Sequence, residues 1–577
     1  MENAEIAALL YETADLMEIA AEDPFRIRSY RNGAAAIESY PDRVADIVAD
    51  PNRDVTTIRG IGKGLAVVIQ DIARRGSFER RDLLLAKYPP TALELLKIQG
   101  LGPKSIALIY QHYRCSTIDD LERLCREGKL RLLPRMGEKL EQKVLRSIES
   151  YRRSGSRYLL DFADRTAHEL IAYLSDTPGV EKVTPAGSLR RGRETVGDLD
   201  MLVTGPQPAP ALEHFARYPR IREVLATGEN KYSAKIGHEG LQVDVRVLDR
   251  SSYGSALLYF TGSKEHNVSL RNRAIRMGFK LSEYGLFRAA DEARVAGETE
   301  EEVYAALGLK WIPPELRENT GEIEAAAAGS LPQLVELRHI RGDVHMHTTA
   351  TDGRNSIAEM AAAAQAAGYQ YLAITDHSKA LAMANGLDER RIVEQIAEIR
   401  RINQDFAGLT ILAGCEVDIR QDGAMDLDDE ALAQLDIVIG SVHSYMNLDA
   451  TQMTDRLLRA LENPFLNVLG HPTGRILLRR EGYPYDFERI VTEAVRRGIH
   501  FEINASPERL DLGANLARAA KAKGAKFILS TDAHNTRHLD NMKYGVWMAR
   551  RGWLGSSDIL NTLDATGFRA ALRRNPS

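Results

Sequence analysis

The last two fifths of the chain restrict the possible folds most. Residues 341–577 contain seven short apolar runs, DVHMH, YLAIT, LTILAG, LDIVIG, FLNVLG, IHFEIN and AKFILS, separated by helical patterns. Such runs need burial on both faces, and regular alternation with helices predicts parallel strands joined by crossover helices, closing as a barrel. Side chains of metal-ligand type fall at the ends of these runs. His345 and His347 end the first, with Asp352 in the loop beyond; Asp376-His377 follows the second, Glu416 the third, His443 the fourth, His471-Pro472 the fifth and Asp532-Ala533-His534 the last. A barrel collects its active site at the C-terminal ends of its strands. His345, His347, Asp352, His377, Glu416, His443, His471, Asp532 and His534 are therefore expected to converge. One histidine on an apolar strand is usually a satisfied core residue, but nine ligand-type residues at equivalent places are not explained that way. Imidazole and carboxylate without thiolate suit Zn2+, Mn2+ or Fe2+, and the set is too large for one tetrahedral ion, so two or three divalent ions are expected. Glu416 is the expected bridge between ions that activate water for attack on phosphorus.

A second constellation lies in residues 187–203, GSLRRGRETVGDLDMLV. Asp198 and Asp200 are two apart on a predicted strand and project from one face. Two carboxylates held together call for a cation, and Mg2+ or Mn2+ takes oxygen ligands together with substrate phosphates. Asp244 sits in LQVDVRVL among Val243, Val245 and Val247, where a lone charge is costly unless it joins that pair. Three aspartates on adjacent strands suit two-metal phosphoryl transfer, with Asp244 helping to deprotonate or orient a 3′-hydroxyl. Gly187, Ser188, Arg190 and Arg191 precede the strand, where they would meet triphosphate oxygens.

The first 155 residues read as helices separated by glycine turns. VTTIRGIGKGLAVVIQDI, around Gly60, Gly62 and Lys63, and LELLKIQGLGPKSIALIY, around Gly100, Gly102 and Lys104, are self-similar; LRLLPRMGEKLEQKVLRSI, with Met136-Gly137, is a weaker third copy. Each glycine turn opens a helix, so backbone N–H groups point outward towards a phosphate. The pattern resembles the helix-hairpin-helix motif, which grips the DNA backbone without reading bases. That resemblance also brings a monovalent cation at the turns as an expectation. The formal net charge of −5 speaks against nucleic acid only until it is divided. Residues 51–155 hold 21 Lys or Arg against 12 Asp or Glu, whereas residues 1–50 hold 4 against 11. Phosphate contact needs only the basic block.

The run GSLRRGRETVGDLD resembles the signature of the nucleotidyltransferases, and of family X DNA polymerases such as DNA polymerase beta in particular. LLYFTGSKEHNVSLRNRAIRMGFKLSEYGLF resembles their Y-F-T-G segment, and DPFRIRSYRNGAAAIESYP at 23–41 their N-terminal region. The resemblance implies nucleotide contacts by Gly187, Ser188, Arg191, Gly197 and Gly262. It implies that Tyr259 and Phe260 pack on the sugar and reject a ribose 2′-OH, that Asn267 meets the base or minor groove, and that Arg271 meets the templating side. Val68 falls where lyase members carry a Schiff-base lysine, so deoxyribose phosphate lyase activity is not expected unless another lysine substitutes. Lys264 stands where related chains carry an acid and is expected to help bind triphosphate. The motifs DVHMHT, TDH, GCEVDI, SVHS, GHP and STDAH resemble the polymerase and histidinol phosphatase (PHP) domain, with all nine ligand positions filled.

The expected fold is multidomain: an α-helical helix-hairpin-helix region, an α/β nucleotidyltransferase palm with thumb, and a distorted (β/α)7 PHP barrel. The expected divisions are 1–85 and 86–155 (helical DNA-binding and fingers-like), 156–250 (palm), 251–318 (thumb-like), 319–340 (linker) and 341–577 (PHP). The resemblance implies short-gap synthesis in repair, such as base excision repair, with 3′-5′ exonuclease work, 3′-end trimming and cleavage at abasic sites. Expected partners are gapped or primer-template DNA and deoxynucleoside triphosphates. Two rival readings are a PHP phosphoesterase on a small phosphate ester with a non-catalytic DNA-binding half, and a non-catalytic DNA-end scaffold. Three cysteines without a two-residue spacing exclude a disulfide framework and a thiolate zinc finger. With no apolar run of about 18 residues and no basic leader, a cytoplasmic monomer without membrane contact is expected.

Overall fold

The computed structural model describes residues 1–572 apart from 2, 39, 41–42, 52, 59, 99 and 155–156. The chain forms two compact units, Met1–Gly155 and Ser156–Ser577.

The first unit is helical, because its apolar residues recur every three or four positions. On the helix Asn3–Ile19, Ile6, Leu10, Ala14 and Met17 are buried with Ile27, Ala34 and Ile37 of Pro24–Glu38. One apolar cluster runs from Ile6 to Ile148, so the expected division at 85/86 does not separate two cores. The three turns share one geometry. Gly60, Gly100 and Arg135 take left-handed backbone, with φ of 95°, 97° and 66°. The next residue's N–H bonds back to Ile58, Ile98 and Leu133 in turn. The helices that follow begin at Lys63, Pro103 and Glu138. The degenerate third copy thus keeps the turn with a non-glycine residue, at a cost of about 1 kcal/mol.

In the second unit the palm sheet comprises β1 (Lys182–Pro185), β2 (Asp198–Thr204), β3 (Ile221–Thr227), β4 (Lys231–Ile236) and β5 (Leu241–Leu248). Its order is β1-β2-β5-β4-β3, with β2 and β5 parallel and the other neighbours antiparallel. The hairpin β3–β4 has no counterpart among the expected strands. Leu199, Met201 and Val203 alternate with the acids on β2 and bury one face against the helix Leu160–Ser175. A small antiparallel sheet, β6 (Phe279–Ser282), β7 (Gly285–Arg288) and β8 (Arg294–Ala296), follows the helices Arg250–Thr261 and Lys264–Arg276.

The segment 319–340 is packed rather than a free linker. Glu322, fully buried, accepts from His266 Nδ1 at 2.6 Å and from the N–H groups of Asn319 and Thr320. Farther on, the Val335 N–H bonds to the Leu554 carbonyl at 3.0 Å.

Seven parallel strands follow in sequential order: β9 (Gly342–Asp343), β10 (Tyr371–Ile374), β11 (Thr410–Asp418), β12 (Ile437–Ser441), β13 (Val468–Leu469), β14 (His500–Asn504) and β15 (Phe527–Ser530). The first and last meet just beyond their ends, where His347 N–H donates to Ala533 O at 2.8 Å, so the barrel is nearly closed. The crossover helices start where a side chain satisfies the free N–H groups of the first turn: Ser356 and Asp449 in reciprocal pairs with Glu359 and Gln452, and Asp388 and Asp486 alone. No helix among the described residues is long and apolar enough to cross a membrane.

Candidate functional site

Two clusters of ligand-type side chains stand on the palm sheet and on the seven-stranded sheet of the second unit. On the palm, the parallel register sets Asp200 directly opposite Asp244, and Asp198 lies two residues before Asp200 on the same face. Burial raises the Asp200 carboxyl to about 7, with Asp198 and Asp244 adding to the shift. Asp198 is raised by burial and by Asp244. Asp244 is also pushed up by burial, but Lys231 beside it and a hydrogen bond from Gln242 help to bring it below the usual range. Lys231 Nζ lies 2.7 Å from Asp244 Oδ2. Arg246 Nη2 lies 3.7 Å from the same oxygen, so both nearby cations face Asp244, and this oxygen-rich set of three acids fits hard divalent ions. Lys231 was not anticipated; it enters on the overlooked hairpin, two residues before Ser233, which pairs with Asp244.

Gly187 has a φ of +61°, and a Cβ there would stand 2.8 Å from Asp200 Oδ2, so the turn runs against the acid that it precedes. Ser188 follows in the short helix Gly187–Arg190, and Gly197 precedes β2. The arginines of the turn have protein partners. Arg190 forms a forked pair with Glu300, at 2.7 and 2.9 Å, and donates to Thr261 Oγ1. Arg191 donates to Glu318 and to the Thr261 carbonyl, at 3.0 and 2.7 Å. Asn267 donates from Nδ2 to the carbonyls of Tyr259 and Gly262, which makes it a brace for the turn between their helices. Tyr259 and Phe260 are half-buried, their rings 5.1 Å apart, with the Arg246 guanidinium 4.4 Å over Phe260. Lys264 is exposed at the first position of its helix, and Arg271 is exposed two turns on. In the first unit Gly60, Gly62, Lys63, Gly100, Gly102 and Lys104 are all exposed, while Val68 is half-buried in the helix Lys63–Arg75.

The barrel brings its nine residues together. Glu416 lies within β11 rather than after it, because the strand runs on to Asp418. Its Oε2 faces His377 Nδ1, His345 Nε2 and His347 Nε2 at 2.9, 3.4 and 3.6 Å. Its Oε1 faces His471 Nε2 and His443 Nε2 at 2.8 and 3.2 Å. Asp532 Oδ1 lies 3.1 Å from His347 Nε2, and Asp352 Oδ2 lies 3.4 Å from His377 and 3.5 Å from His534. Three overlapping groups could hold ions: His347, Asp352, His377 and His534; His345, His347 and Asp532; and His377, Glu416 and His443. His345 Nε2, His347 Nδ1 and His471 Nδ1 are buried without a hydrogen-bond partner, as expected of nitrogens kept for a metal. His471 and Asp532 take left-handed backbone, φ 25° and 52°, which costs about 1–3 kcal/mol each and aims their side chains inward.

Protonation follows the same crowding. Burial opposes ionisation throughout, yet His443, His345 and His377 hold Glu416 well below the carboxylate range. Burial is outweighed by Glu416 at His377, raised to about 10, and at His443, raised to about 9. Burial and the neighbouring His377 and His534 push His347 down to about 4.

Other residues around this set lie outside the nine, and of these only Asp376 was marked by the sequence. Glu502, fully buried, accepts from His345 Nδ1 at 2.6 Å and from the His471 N–H and Ser530 Oγ. Asp418 takes the His443 N–H at 3.1 Å, and Asp376 takes Thr348 and Gln395. Arg509 Nε lies 3.5 Å from Asp532 Oδ2. The alternation His500, Glu502, Asn504 against Phe501 and Ile503 is the signal that could have found Glu502.

Sequence comparison accounts for most segments. A helix-hairpin-helix domain matches residues 1–78, a SAM-like helix-hairpin-helix tandem 92–150, the DNA polymerase beta thumb 256–318 and the PHP domain 343–506. Fold, sites and matches define a family X DNA polymerase with a C-terminal PHP domain, and the chain belongs to that family. Along its whole length it is similar to DNA polymerase/3′-5′ exonuclease PolX of Bacillus subtilis (strain 168), 37% identical over 576 residues, which is 100% of both chains. DNA polymerase lambda of Rattus norvegicus is 26% identical over 333 residues, 51% of this chain and 53% of that one. A probable phosphatase of Thermoanaerobacter sp. (strain X514) is 28% identical over 231 residues, 38% of this chain and 89% of its own.

Proposed function

We propose that this chain fills short gaps in DNA at its aspartate site and trims DNA 3′ ends at its histidine site, as a DNA polymerase and metal-dependent 3′-5′ exonuclease serving DNA repair, base excision repair in particular. The observation that carries this reading is the register of Asp200 against Asp244 with Asp198 beside them, on the same chain as a separate cluster of eight ligand-type residues that His471 joins through Glu416.

At the first site Asp198, Asp200 and Asp244 would hold Mg2+ or Mn2+, which would supply charge beside a 3′-oxygen and the leaving pyrophosphate. Asp244, kept ionised by Lys231, orients the 3′-hydroxyl and accepts its proton. The 3′-oxygen bonds to the α-phosphorus as the bond to the bridging oxygen breaks. Gly187, Ser188, Gly197 and Lys264 receive the triphosphate, with Arg191 bracing the turn. Tyr259, Phe260 and Gly262 exclude a ribose 2′-OH, and Asn267 and Arg271 lie towards the base and template. Gly60, Gly62, Lys63, Gly100, Gly102 and Lys104 hold backbone phosphates, with a monovalent cation at the turns.

At the second site His345, His347, Asp352, His377, Glu416, His443, His471, Asp532 and His534 would hold two or three ions, Zn2+, Mn2+ or Fe2+, which would supply Lewis-acid stabilisation of the attacked phosphodiester. Glu416 presents one oxygen to each half of the histidine set and so holds the halves in register. Water attacks phosphorus, the bond to the 3′-oxygen breaks, and the shortened strand keeps its 3′-hydroxyl. Abasic-site cleavage is the same reaction on another phosphodiester. The enzyme works as a cytoplasmic monomer.

The test is a gapped duplex with a 5′-labelled primer in Mn2+. The primer lengthens to the gap size with nucleotides present, shortens without them, and does neither in excess chelator. Shortening that persists in chelator would overturn the metal-dependent nuclease.

A further inference from the structure

The helix Met542–Arg551 belongs to the barrel, yet its last residue reaches the palm. Arg551, its side chain 6% exposed, donates from Nη1 to the Arg191 carbonyl and to Glu318 Oε1, both at 3.0 Å. Glu318 Oε1 also accepts from Arg191 Nε at 3.0 Å and faces Arg193 Nη1 at 3.6 Å. Arg191 in turn donates to the Thr261 carbonyl, inside the Tyr259–Gly262 segment. One line of contacts therefore runs from the barrel through Glu318 and Arg191 to both parts of the nucleotide pocket.

Shape adds to it. Gly192 has a φ of +64°, and a Cβ there would meet Trp547 Cβ at 3.1 Å, so the loop backbone lies flush on the same helix. The turn is bounded at its start by Asp200, against Gly187, and at its end by Trp547 and Arg551. Charge points the same way. Arg191, Arg193 and Arg551 surround Glu318, and the next carboxylate, Glu194, faces Arg475 at 3.6 Å. The guanidinium surplus complements an anionic ligand at the turn.

We propose that Arg551 is a positioning residue of the polymerase, holding the Gly187–Arg191 turn in the shape that receives a nucleoside triphosphate, so that the nuclease barrel forms part of the synthetic site. The proposal rests on reading Gly187 and Ser188 as the triphosphate cradle. Loss of the guanidinium leaves the Arg191–Glu318 pair but frees the backbone that it fixes. The consequence is a displaced turn rather than a missing ligand contact.

The experiment measures single-nucleotide insertion on gapped DNA and hydrolysis of single-stranded DNA for full-length Arg551→Met, Arg551→Lys, Arg550→Met and Ser188→Ala. Arg550 lies one residue earlier and bonds Glu315 and the Val335 carbonyl instead of the turn. Arg551→Met is expected to raise the nucleotide KM by about tenfold and lower kcat, with hydrolysis unchanged. Arg551→Lys is expected to restore most of the KM, and Arg550→Met to leave it unchanged. An unchanged nucleotide KM in Arg551→Met, or equal loss of synthesis and hydrolysis, would overturn the proposal. A normal KM in Ser188→Ala would instead overturn the reading of the cradle on which it rests.

Discussion

At the residue scale, a close backbone approach at one site and a buried hydrogen bond at the other set where the ligand-type atoms stand. Gly187 allows the turn to approach Asp200, and a methyl group would fall 2.8 Å from its Oδ2. Gly187→Ala is expected to lower single-nucleotide insertion by about 10²-fold, since it moves a ligand, and to leave strand shortening unchanged. Glu502 fixes His345 through Nδ1, which leaves Nε2 for a metal. Glu502→Gln keeps the shape but loses the charge, and is expected to weaken metal binding about 10–100-fold in a competition titration with a chromophoric chelator. The nearness of the nine residues was readable because each stands at or shortly beyond the end of an apolar run, although Glu416 proves to lie within its strand. Glu502, Asp418 and Lys231 were not, because a single charge inside or beside a strand does not say what it faces; the reasoning that singled out Asp244 among three valines applies equally to Glu502 between Phe501 and Ile503.

At the element scale, the palm depends on ion pairs that link it to the small sheet's surroundings. Glu300, its side chain 4% exposed, takes forked pairs from Arg190 and from the fully buried Arg317, and accepts from Trp311 Nε1 at 3.2 Å. Burial works against this charge, but the two guanidiniums outweigh it and hold the carboxyl far below the ordinary range. Glu300→Gln is expected to cost about 3–5 kcal/mol in denaturant unfolding at neutral pH, because two arginines lose their partner. A depressed carboxyl contributes its full stability above the unfolded pKa and loses it as pH falls through the folded one. The gap between wild type and Glu300→Gln should therefore narrow below about pH 4.3, towards the depressed pKa. Elements with continuous apolar runs, such as Tyr371–Ile374 and Ile437–Ser441, were legible. The edge strand Ile221–Thr227 was not: all but its first residue is exposed, so no apolar pattern marks it. The segment 319–340 looked like a linker because its alanines and glycines carry no pattern, and only the fold brings His266 to Glu322.

At the scale of the whole molecule, 577 residues carry two metal-type sites of opposite chemical sense on one compact unit, preceded by a helical unit with three like turns. Palm and barrel share contacts beyond Arg551: Lys543 Nζ lies 2.7 Å from Asp164 Oδ2, and Tyr544 donates to the same oxygen at 3.1 Å. The net charge of −5 misleads for a physical reason, since the acids of the two candidate sites and the acidic first 50 residues mask the basic block that carries the turns. The central claim is that synthesis and degradation are carried out by separate residues. It is tested most directly by Asp244→Ala and His345→Ala on one gapped, 5′-labelled substrate in Mn2+, with and without nucleotides. Asp244→Ala should shorten the primer but never extend it, and His345→Ala should extend it but never shorten it. Both activities surviving in both variants, or both disappearing together in either variant while it remains folded, would contradict the account.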